Sequence, residues 1–179
     1  MNGAIFIDGA SWAISFTEQA PSAVPLRLDY EKLIHALARE ISPDQIFQCP
    51  HRFYYSTYRG LDTRATKRAF FREIKKANFI IEEFQAKQYA DGHYEDKGVD
   101  IALALDAYRL AHQGEIDTLI RGTHDTDFVP LFERLPGPLK VVVVGWKKQM
   151  GSELVQAART VYLDDIWDQV RYDATALPI

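Results

Sequence analysis

Four aspartates carry most of the chemical content of this sequence: Asp8, Asp100, Asp125 and Asp127. Asp8 closes the apolar run Ile5-Phe6-Ile7 and is followed by Gly9, while Asp125 and Asp127 come just after the run Thr118 to Arg121. Asp100 falls in the predicted first turn of a helix that opens after Lys97-Gly98. In open α/β sheets chemistry collects beyond the carboxyl ends of the strands, and all four residues are expected at that edge. Each has a plainer use by itself: Asp8 closes a turn, Asp100 complements a helix dipole, and Asp127 or Asp125 caps a helix. Gathered together, they repel. Two unit charges about 4 Å apart in an effective dielectric near 20 interact by about 4 kcal/mol. Such a cluster takes up protons or binds a cation. An all-oxygen set, with no cysteine or histidine at ligand spacing, suits a hard ion such as Mg²⁺ or Mn²⁺. The ion orients water, lowers its pKa and neutralises charge on a phosphodiester. In-line attack of metal-activated water on a phosphodiester is the chemistry expected.

The elements that must position these carboxylates alternate along the chain. Strands are predicted at Ala4–Ile7, Phe53–Ser56, Phe79–Phe84, Thr118–Arg121, Val141–Gly145 and Thr160–Leu163. Helices are predicted at Asp29–Glu40, Asp62–Ala77, Lys97–Gln113, Asp127–Leu135 and Ser152–Ala158. The β-branched, unalternating run Val141 to Val144 reads as a strand covered on both faces. Alternation of strand and helix predicts a three-layer α/β/α sandwich with a mainly parallel central sheet, Rossmann-like in plan. Thr17 to Arg27 and Lys87 to Asp96 read as loops near the mouth of the site.

At 179 residues, with 47% apolar and 26% charged residues, the chain fits one domain over 1–179. No apolar stretch is long enough to span a membrane, no secretory start is evident, and a cytoplasmic protein is expected. The single cysteine, Cys49, offers neither an internal disulfide nor a thiolate cluster and reads as a small core or loop thiol. A net charge of −4 argues against a protein that simply coats nucleic acid. Charge is uneven, however: seven basic residues between Arg59 and Lys76 face two acidic ones, Asp62 and Glu73. These basic residues read either as the solvated side of an amphipathic helix or as a phosphate path, with Arg64 and Arg68 the substrate contacts. Trp12, Phe16, Tyr89 and Tyr94 read as packing or loop residues that could also stack on unpaired bases. Trp146 could line a groove or a dimer contact; the sequence leaves this, and homo-oligomerisation in general, open.

Three blocks occur in order: Ile5-Phe6-Ile7-Asp8-Gly9, Lys97-Gly98-Val99-Asp100-Ile101-Ala102-Leu103-Ala104-Leu105-Asp106, and Asp125-Thr126-Asp127-Phe128-Val129-Pro130-Leu131. With Lys140 to Gly145 as the next strand, they resemble the NYN domain, the LabA-like and limkain-type branch of the PIN-like nucleases, over roughly residues 4 to 165. The resemblance implies a PIN-like fold and metal-dependent cleavage of RNA, with Asp8, Asp100, Asp125 and Asp127 at the metal and catalytic positions. Lys97 matches a recurring lysine expected to meet substrate, and Asp106 a frequent acidic position of auxiliary rank. Ser11 stands where the family usually has Asn, and Thr123-His124 where it prefers Ser-Gly. Ser11 and Thr123 keep hydroxyls for substrate, and His124 reads as a packing histidine or a proton shuttle.

A second reading is a catalytically weak RNA-binding regulator that retains the fold. A small-molecule phosphatase fits less well, because no Asp-x-Asp closes the first strand. A dehydrogenase is poorer still, because no Gly-x-Gly-x-x-Gly follows it.

Overall fold

The first strand, β1 (Asn2–Asp8), is apolar from Ala4 to Ile7 and buried on both faces, so it can only be central. The computed structural model describes residues 1–19, 27–60, 64 and 67–172. After β1 come α1 (Gly9–Gln19), α2 (Tyr30–Ile41), β2 (Gln48–Tyr58), α3 (Arg68–Lys76) and β3 (Ile80–Gln85). A short antiparallel hairpin, β4 (Lys87–Gln88) with β5 (Tyr94–Glu95), precedes α4 (Val99–His112) and β6 (Thr118–Gly122). A 3₁₀ turn over Thr126–Phe128 leads into α5 (Val129–Phe132), then β7 (Lys140–Gly145), α6 (Ser152–Ala157), β8 (Arg159–Tyr162) and α7 (Leu163–Val170).

Six strands form one parallel sheet in the order β3-β2-β1-β6-β7-β8. Helices cover both faces, as the alternating pattern predicts. Residues alternate across the sheet: Ile5, Ile7, Tyr54 and Ile120 enter the core beneath α1, α2, α3 and α7. Ala4, Phe6, Tyr55 and Leu119 enter the core beneath α4, α5 and α6. Strand order reverses between β1 and β6, so the crevice for chemistry opens there.

All six predicted strands are present. β2 begins five residues earlier than expected, with an irregularity in its pairing to β1 between Asn2 and Ala4, opposite Gln48 and His51. Pro50, which has no N–H to donate, falls inside that irregularity. Two helices were not expected. α1 follows Asp8 directly, so the predicted loop from Thr17 starts within a helix, and residues 20–26 lie outside the described residues. α7 follows β8 without a break. The predicted helix Asp62–Ala77 is α3 from Arg68 onward, and residues 61–63 and 65–66 lie outside the described residues. The predicted loop Lys87–Asp96 contains the β4–β5 hairpin.

Candidate active site

Asp8 ends β1 at the switch point, and its side chain is buried there. Its Oδ1 accepts hydrogen bonds from the backbone amides of Ala10 (3.0 Å) and Ser11 (3.2 Å), so the carboxylate caps the first turn of α1. Gly9 makes this junction possible. A Cβ at that position would stand 2.5 Å from the Tyr54 ring and 2.7 Å from the Tyr55 carbonyl oxygen. Asp125 sits in the loop after β6, and its Oδ1 accepts from the Asp127 amide at 2.9 Å. Thus Asp125 provides the cap, and Asp127 is left as a second, solvent-facing carboxylate. Asp100 lies in the first turn of α4, whose start is made by Gly98 at φ 83°, a left-handed conformation that glycine adopts freely.

These four aspartates converge. Desolvation raises the Asp100 carboxyl above the ordinary aspartate range, and the charges of Asp8, Asp125 and Asp127 raise it further, with Arg121 opposing them. Residues separated by more than a hundred positions therefore share one electrostatic site. A cleft of about 80 Å³, lined by Asp8, Ala10, Tyr55, Thr57, Asp96, Val99 and Asp100, opens beside it. A larger cavity of about 750 Å³ lies over the other face of the sheet, between α1, α2 and α3. Of its three carboxylates, Asp29 caps α2, Glu73 pairs with Lys76 and Glu31 lies in the first turn of α2, whereas Asp8 and Asp100 line the smaller cleft.

The donors fit a divalent cation in type: they are carboxylate oxygens only, and their mutual repulsion is what a cation relieves. Among the described residues, however, no three His, Cys, Asp or Glu side chains stand close enough to grip one ion in this conformation. The carboxylates are gathered but not closed.

Ser11 and His124 depart from the family pattern at two places far apart in sequence, and in the structure they touch. His124 Nδ1 lies 3.1 Å from Ser11 Oγ and 2.7 Å from Ser15 Oγ, tying the loop after β6 to α1. His124 thus packs against α1 through these two hydroxyls, one of them that of Ser11. Thr123 is buried, and its Oγ1 accepts from the Asp125 amide at 3.0 Å, a contact that shapes the loop. Arg64 is held bidentately by Glu83 at 2.8 and 3.0 Å, and Lys97 pairs with Glu95 at 3.2 Å, whereas Arg68 is exposed at the start of α3. Asp106 accepts from the Tyr55 hydroxyl at 2.7 Å and lies 3.5 Å from Arg109, so it braces Tyr55. Trp12 and Trp146 are buried in the core, and Phe16 packs against Trp146 and Trp167, which removes both the groove and the dimer-contact readings of Trp146. Tyr89 and Tyr94 remain on the hairpin, and Cys49 is buried, its thiol pushed up to about 12 by burial.

Sequence reading missed two residues. Asp96 lines the cleft and stands four positions before Asp100, a spacing that was a usable signal. Arg121 is 0% exposed on β6, beneath the Phe128 ring with its guanidinium carbon 3.9 Å from the centroid. Burial pulls its pKa down to about 10, against the attraction of Asp8, Asp100, Asp125 and Tyr55.

A parallel sheet in this order, with carboxylates at its switch point, defines an α/β/α protein of the PIN-like class. The NYN domain model matches residues 2–165, and the chain belongs to the NYN domain family of the PIN-like nuclease superfamily. Among solved structures it is similar to VPA0982, a protein of unknown function from Vibrio parahaemolyticus RIMD 2210633. The two share 22% identity with a TM-score of 0.73, over 96% of each chain, which speaks to the fold. A search of curated proteins finds no match.

Proposed function

We propose that the chain is a metal-dependent ribonuclease, hydrolysing phosphodiester bonds of RNA with Mg²⁺ or Mn²⁺ held by Asp8, Asp100, Asp125 and Asp127. The observation that carries this reading is the placement of Asp8 and Asp100 in one cleft at the switch point, with Asp125 and Asp127 on the loop that follows the neighbouring strand β6. A bound ion supplies a Lewis acid and a water made acidic near neutral pH. The chain's own residues do the rest. The amides of Ala10, Ser11 and Asp127 fix Oδ1 of Asp8 and of Asp125, so these carboxylates are held in one orientation. Asp100, in the first turn of α4 at the cleft wall, is the member placed to take the proton from the attacking water. Water adds to phosphorus as the opposite P–O bond breaks, in line, and the proton passes to a carboxylate oxygen.

One observation favours a second reading, a catalytically weak RNA-binding regulator: among the described residues the carboxylates do not close into a ligating cluster. Labelled single-stranded RNA with Mn²⁺, with and without chelator, separates the two. The ribonuclease reading expects chelator-sensitive cleavage that falls by at least about 10²-fold in Asp125→Asn. Binding that persists in both proteins without cleavage supports the regulator.

A further inference from the structure

Arg121 presents an unusual problem of satisfaction. Its Nη1 donates to the carbonyls of Phe6 (3.2 Å) and Gly122 (3.1 Å), but Nε and Nη2 are buried with no partner among the described residues. A guanidinium is ionised at every physiological pH, and a buried charge left without an ion pair or its hydrogen bonds is strongly disfavoured. No carboxylate lies within salt-bridge distance of it among the described residues. Strand alternation directs the side chain into the core shared with Leu119 and Phe6, beneath α4 and the loop after β6, where the aspartates gather. The attraction it receives comes from Asp8, Asp100 and Asp125. Being wholly buried, it does not reach a substrate phosphate.

Resting on the metal-site reading above, we infer that Arg121 is the resident cation of this site. Its fixed charge stands where a second metal ion would otherwise be favoured, so the carboxylates take up a single divalent ion. Arg121 is then a positioning residue: its positive charge holds the aspartates close before the ion arrives, and it repels any further cation.

Mn²⁺ binding to the full chain, followed by calorimetry and by thermal unfolding without RNA, tests this. The parent protein and Arg121→Lys, which keeps the charge, are expected to bind one ion per chain. Arg121→Met removes the charge and is expected to bind a second ion or to bind Mn²⁺ at least about tenfold tighter, with a larger Mn²⁺-induced rise in Tm. Should Arg121→Met fail to fold in chelator, recovery of folding by Mn²⁺ supports the inference. Arg121→Gln, neutral but still hydrogen-bonding, then carries the same titration. Two ions on the parent protein, unchanged stoichiometry and affinity in the neutral variants, or neutral variants that stay unfolded even in Mn²⁺ would overturn it. If the parent protein binds no Mn²⁺ at all, the metal-site reading itself fails, which is a separate result.

Discussion

Asp100 is where the strain of gathering like charges is concentrated. Its folded carboxyl is raised, first by desolvation and then by Asp8, so between the ordinary aspartate range and that raised value the folded chain binds more protons than the unfolded chain. Stability contributed by this group is therefore present at low pH and lost as pH rises through that window. Asp100→Asn is expected to raise the metal-free Tm at pH 7, with the difference shrinking as the pH approaches 4 and reversing in saturating Mn²⁺. Thermal unfolding at those conditions checks it; a variant less stable at pH 7 without metal would contradict the electrostatic account. The four aspartates were legible as a group because each sits beside a strand end or helix start. Arg121 was not, since a charged residue closing an apolar run reads as the point where a strand leaves the core. Only the packing of Phe128 over it, and the sheet around it, reveals that it stays inside.

Between β1 and β6 the junctions are tight. A Cβ at Gly122 would stand 2.8 Å from the ring of Trp12, a buried residue of α1. Gly122→Ala is expected to destabilise the protein by about 1–3 kcal/mol through overpacking, read as a lower urea midpoint at unchanged m-value. A midpoint equal to the parent's would show that α1 can yield. The elements themselves were legible to different degrees. Val141 to Val144 announced a buried strand, and Asp29 announced the start of α2, where it accepts from the amides of Glu31 (3.1 Å) and Lys32 (3.0 Å). α1 was hidden for a physical reason. Its buried positions include Gly9, Ser11 and Ser15, whereas Ile14 is 55% exposed, so apolarity does not mark the inward face. Those serines face inward because His124 meets them there. The hydroxyl–imidazole contact replaces an apolar one, and no period in the sequence records it.

Across the whole molecule the net charge of −4 leaves little general attraction for a polyanion, so binding must rely on a few local cations. Arg64 and Lys97, two of the expected contacts, are already paired with Glu83 and Glu95. Arg68, exposed without an ion pair among the described residues, is freer to meet a phosphate. Arg68→Gln is accordingly expected to reduce the salt dependence of single-stranded RNA binding by about 0.7 in log K against log salt. Arg64→Gln is expected to reduce it less. Equal slopes for both variants and the parent would remove α3 from the binding surface. The parallel sheet was predicted from alternation alone, yet its strand order was not, because strand neighbours are chosen by long-range packing that local sequence does not encode.

A consequence for handling the protein follows from every strand of the sheet running in one direction. β1 begins at Asn2 and delivers Asp8 to the opposite rim, about 20 Å away at strand rise. A peptide, dye or bead attached ahead of Met1 therefore emerges on the far side from the carboxylates. Immobilisation through that end would leave the entrance facing the solution.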